Sequence, residues 1–127
     1  MYFDLIDLKY CEARLIVRIA ELVLGEPDGC NGTPLVINET SKKFTVVFKD
    51  VSDFRSQAEP CFSCDVDSEK LTEFLYECKN SKYLKTACRF GDGPYERARH
   101  FYVFTESVVI DVLSESEPRI KEIMNIA

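Results

Sequence analysis

The chain has 127 residues, of which 46% are hydrophobic and 30% charged, and its net charge is −6. That length suits a single domain over residues 1–127, with a core that can bury about two thirds of the unfolded surface, and the apolar content excludes intrinsic disorder. The acidic balance argues against non-specific binding of nucleic acid and against an anionic membrane surface.

Residues 1–10 carry Asp4 and Asp7 where a secretory signal would have a basic stretch and an unbroken apolar run. Residues 15–24 form the longest apolar run, but Arg18 and Glu21 interrupt it, and a membrane span needs close to 20 apolar residues. A reducing cytoplasm is therefore expected, with most of the six cysteines acting as small buried hydrophobes.

As a helix, 15–24 would gather Arg14, Arg18 and Glu21 into one polar stripe; as a strand, Leu15, Val17 and Ile19 would share a face. Its β-branched residues and the turn-rich stretch 25–34 favour the strand. Residues 35–37 and 44–48 read as a hairpin, and 51–55 as a continuation at the edge of the same sheet. Next, Leu71, Phe74, Leu75 and Cys78 recur at helical spacing, with Asp67 or Ser68 as cap, which predicts one main helix over 68–79. A short helical turn follows at 83–88, before a Gly-Pro loop at 91–94. Residues 100–105 and 107–113 read as a second hairpin, in which Val108, Ile110 and Val112 share one face and Val109, Asp111 and Leu113 the other. Pro118 opens a last amphipathic piece, 119–126. The order predicts an α+β fold: a curved antiparallel β-sheet with the helix packed on one face.

Chemistry-bearing motifs are few. Cys61-Phe-Ser-Cys64 has the spacing of half a zinc site, but the remaining candidates, Cys78 and Cys88, do not form a second knuckle. Asp65 and Asp67 beside Cys64 oppose a reactive thiolate. His100, the only histidine, has no cysteine placed beside it by the sequence and reads as a partly buried structural residue. Asp111 reads as a solvent-facing strand position. No phosphate loop, nucleophile elbow or zinc-protease motif is present. Catalysis is thus unsupported, and no cofactor is expected.

Two charged features remain. Lys79, Lys82, Lys85 and Arg89 form a basic strip around Tyr83. Glu106, Asp111, Glu115 and Glu117 run without a base until Arg119, and such an acidic surface suits a basic protein partner.

Residues 47–55 (VFKDVSDFR) and 100–113 (HFYVFTESVVIDVL) resemble segments of small bacterial proteins, some of them immunity proteins that neutralise polymorphic toxins by direct binding. The resemblance carries over no functional residue. It implies a cytoplasmic α+β domain that acts by protein–protein contact. The expected function is a non-enzymatic interaction protein, with toxin immunity as its concrete form and Glu106, Asp111, Glu115 and Glu117 as partner-binding residues. The alternative is a small metal-binding or thiol-redox module on Cys61 and Cys64. Neither nucleic acid nor a membrane is expected as a partner, and a homo-oligomer is compatible with these features.

Overall fold

The computed structural model describes residues 2–27, 32–58, 68–90 and 95–123. Their elements, in order, are β1 (Phe3–Cys11), β2 (Arg14–Glu21), β3 (Val23–Leu24), β4 (Leu35–Val36), β5 (Lys43–Phe48), β6 (Val51–Ala58), β7 (Ser68–Lys70), β8 (Leu75–Cys78), α1 (Lys82–Phe90), β9 (Arg99–Phe104), β10 (Val108–Ser114) and β11 (Arg119–Ile123). The strands form a four-stranded sheet, β1-β2-β5-β11, a five-stranded sheet, β6-β10-β9-β8-β7, and a two-stranded ribbon, β3-β4. Every pairing is antiparallel. The predicted class holds: antiparallel sheet dominates, with a single short helix among the described residues. None of that helix is long and apolar enough to cross a membrane.

The two larger sheets face each other across one core. Leu15, Val17 and Ile19 of β2 and Val46 and Phe48 of β5 meet Phe101 and Val103 of β9 and Ile110 and Val112 of β10. Period-two alternation supplies these faces. In β1 a bulge between Leu5 and Asp7 leaves Ile6 out of the ladder, so Leu8 packs inward where strict alternation would have placed Asp7. Phe3, Phe44 and Phe74 close one end of the core, with ring centroids 5.1–5.9 Å apart.

Several local expectations are corrected. The stretch 68–79 is not a helix but the hairpin β7–β8, turning through residues 71–74. The Leu71 and Thr72 amides both donate to the Leu75 carbonyl, and the Thr72 hydroxyl accepts from Phe74 and Leu75. A tight turn brings i, i+3 and i+4 together as a helix does, so Leu71, Phe74 and Leu75 still reach the core. The helix instead lies at Lys82–Phe90, and Tyr83 holds it to one face of the five-stranded sheet. Residues 35–36 pair with β3, not with β5, which enters between β2 and β11. β6 follows β5 after two residues yet joins the other sheet, through Asp50 at φ 53°.

Candidate functional site

Antiparallel partners share a face. The register therefore lays Arg55, Asp111, Tyr102 and Tyr76 in one row across the outer face of the five-stranded sheet, and Asp53, Leu113, His100 and Cys78 in the next. Where α1 covers this face, a polar chain is buried. Ser81 is the N-cap of α1: its Oγ accepts from the Leu84 amide at 2.9 Å. The same hydroxyl lies 2.6 Å from His100 Nδ1, and His100 Nε2 lies 2.7 Å from Asp111 Oδ1. Asp111 Oδ2 accepts from Gln57 Nε2 at 2.9 Å and Arg55 Nε at 3.1 Å. A neutral imidazole with its proton on Nε2 satisfies every atom: Ser81 donates to Nδ1 and Nε2 donates to the carboxylate.

Tyr83 closes the cluster from above. Its ring meets His100 edge-on at 5.3 Å, Arg55 stacks over it at 4.1 Å, and its hydroxyl donates to Asp53 at 2.8 Å. Burial, reinforced by the Asp53 carboxylate, raises the phenol above its ordinary range, so Tyr83 remains a donor.

Ser81, His100 and Asp111 are the residue types of a hydrolytic triad, but the chemistry is blocked. A nucleophilic hydroxyl must meet a substrate carbonyl, whereas Ser81 is 4% exposed and already caps a helix. His100 and Asp111 are 4% and 1% exposed. The arrangement can fix α1, β6, β9 and β10 to one another; it cannot receive a substrate.

Placement of the predicted residues follows. His100, expected to be partly buried, is 4% exposed. Cys78, unforeseen, lies directly opposite it, yet both ring nitrogens are engaged elsewhere and Cys78 Sγ faces Ser68 Oγ at 3.5 Å. Asp111 is the reverse of the expected solvent-facing acid. The signal was present: Val109 and Leu113 make the strand apolar on both faces, which marks a strand covered on both sides, where a carboxylate must be paired. Glu106 precedes β10, and Glu115 and Glu117 follow it, so about 23 Å of strand separates them and the four acids form no single surface. Glu115 instead joins Asp50, whose carbonyl accepts its amide.

The basic strip is likewise divided. Lys79 pairs with Glu69 and Glu77, and Lys85 bonds Asn80. Glu77, which no motif marked, is 5% exposed and gripped by Arg99 through Nε and Nη2, both at 2.8 Å. The Arg99 fork, with help from Lys79, holds its carboxyl below the usual glutamate range. Cys61 and Cys64 lie outside the described residues. Cys78 is buried and Cys88 exposed, and no group of three metal-ligating side chains gathers among the described residues.

The remaining site is a surface. In the β3–β4 ribbon Leu24 and Leu35 are directly paired and 70% and 47% exposed, with Ile37 exposed beside them. Gly25 permits the ribbon's close packing, since a Cβ there would stand 2.8 Å from Val36. Glu26 and Glu39 are exposed nearby in sequence, and no lysine or arginine occurs between Arg18 and Lys42. Comparison with known protein families, curated proteins and solved structures finds no match.

Proposed function

We propose that the protein is a non-enzymatic protein-binding module, and that its concrete form is an immunity protein which neutralises a bacterial toxin by contact. The observation that carries this reading is the ribbon. Two leucines held side by side in water forfeit burial worth about 25 cal/mol for each Å² of apolar surface, which a partner would recover. Glu26 and Glu39, both exposed, flank that apolar pair in sequence, a composition that suits the apolar centre and polar rim of an interface with a basic partner. The buried Ser81–His100–Asp111 chain supports the non-enzymatic half of the reading, because its groups are spent on one another.

The test uses the purified product of the neighbouring gene. Binding and inhibition by the wild type, both weakened at least about tenfold in Leu24→Ser/Leu35→Ser, would support the reading. Absence of binding and inhibition would overturn the toxin form. Inhibition that survives the double substitution unchanged would overturn the role of the ribbon.

A further inference from the structure

The outer face of the four-stranded sheet, turned away from the core, has the opposite sign to the protein as a whole. Register places Lys9, Ile16, Val47 and Arg119 in one row across β1, β2, β5 and β11. Asp7, Arg18, Thr45 and Lys121 form the next, and Cys11 with Arg14 and Lys43 with Ile123 lie on the same face. Arg18 is paired with Asp7. Lys9, Arg14, Lys43, Arg119 and Lys121 have no ion-pair partner among the described residues. Asp4 falls on the same face, in the row Asp4, Ala20, Lys43 and Ile123, but its carboxylate accepts from the Ser107 hydroxyl and the Leu5 amide.

An antiparallel sheet commonly leaves one face to water. A solvated face in a chain of net charge −6 would be expected to carry mixed or negative charge, not a set of unpaired cations. The cations also have an arrangement. Lys9 and Arg14 stand on β1 and β2, Arg119 and Lys121 on the edge strand β11, and between them Ile16, Thr45 and Val47 form a half-buried floor. A depression of about 350 Å³ opens among Lys9, Cys11, Glu12, Arg14 and Ile16, where two cations outnumber the single carboxylate.

We infer that this face docks an acidic amphipathic helix of a partner protein. Three strand-to-strand steps set the two cationic margins about 14 Å apart, and a helix with its side chains is about 10–12 Å wide. Such a helix would lay an apolar stripe on Ile16 and Val47 and aim carboxylates at the lysines and arginines on either side. A single-stranded nucleic acid meets the charge but not the floor, because the face presents no aromatic ring among the described residues on which bases could stack.

The probe is a labelled helical peptide of about 18 residues bearing one leucine stripe flanked by glutamates. Wild-type protein should bind it with an affinity that falls as salt rises, and binding should slow alkylation of exposed Cys11 while leaving exposed Cys88 unchanged. Lys9→Glu/Arg119→Glu/Lys121→Glu should weaken binding by about tenfold or more. The variant Lys70→Glu/Lys85→Glu/Arg89→Glu, of equal net charge and with its residues on β7 and α1, should bind as the wild type does. Leu24→Ser/Leu35→Ser should also bind normally, so failure of the ribbon and failure of this surface are distinguishable. Equal binding of a peptide with glutamine for glutamate, or of a scrambled peptide without the stripe, would overturn the inference. So would preference for an oligothymidylate, or no binding at about 100 μM.

Discussion

Asp111→Ala tests whether the buried polar chain is structural. Substitution removes the acceptor for three donors of unequal exposure. His100 Nε2 is fully enclosed, so its loss costs the desolvation of a buried donor, about 1–3 kcal/mol. Gln57 is half-buried and adds about 1 kcal/mol. The Arg55 side chain is 50% exposed and can turn to water, so its share is below about 1 kcal/mol. The expected sum is about 3 kcal/mol. With an unfolding entropy of about 2.1 cal/mol/K per residue, that lowers Tm by roughly 11 °C for 127 residues. Asp111→Asn is the informative companion. Its amide nitrogen can donate to Nε2 if the imidazole proton moves to Nδ1 and is accepted by Ser81, while its oxygen still receives Arg55 and Gln57. Each of the wild-type contacts is kept, while the Ser81 hydroxyl proton and the second amide hydrogen are left without an acceptor, so the cost should be about 1–2 kcal/mol, below that of alanine. Thermal and urea unfolding followed by circular dichroism measure both variants. An alanine cost below about 1 kcal/mol, or an asparagine cost equal to alanine's, would refute the reasoning: the first denies the penalty of orphaned donors, the second assigns the stability to charge.

Three further outcomes follow from individual contacts. Glu77 has a depressed folded-state pKa, so its grip by Arg99 and Lys79 contributes stability above the ordinary glutamate range and loses it as pH falls through the folded value. The stability gap between wild type and Glu77→Gln should therefore narrow in acid, and a gap independent of pH down to about pH 2 would exclude this linkage. Glu12 and Ala13 turn between β1 and β2 at φ 52° and 61°, the region where glycine is at ease and alanine is not. Ala13→Gly should raise stability by about 0.5–1 kcal/mol, seen as a Tm gain of about 2–4 °C; a lower Tm would show that the turn is not strained. The raised pKa of Tyr83 implies stability that is full below the ordinary tyrosine range and declines as pH rises beyond it. Ultraviolet titration should show a phenol that ionises only with unfolding, and Tyr83→Phe should lack that step.

What could be read from the chain followed the distance over which its causes act. The β9–β10 hairpin was legible because alternation and a short loop are local, and β2 because its β-branched residues favour a pleated surface. The stretch 68–79 misled because a tight turn at Leu71–Thr72–Glu73–Phe74 gives the same spacing of apolar residues as a helix. What decides between them is distant: the Tyr76 ring stacked on Tyr102 at 4.9 Å and Glu77 held by Arg99. Asp111 misled for the same reason, since its acceptor capacity is filled from β6 and β9, 56 and 11 residues away in sequence. Charge was the hardest to read. Linear stretches placed an acidic surface along 106–117, but β10 crosses the molecule, burying Asp111 and parting Glu106 from Glu115. The cations of β1, β2, β5 and β11, scattered from Lys9 to Lys121, converge on one face only through strand pairing. Net charge therefore constrains the sum over the surface and not its distribution: a chain of net −6 can present a cationic face wherever its register gathers lysines and arginines and sends their counter-ions elsewhere.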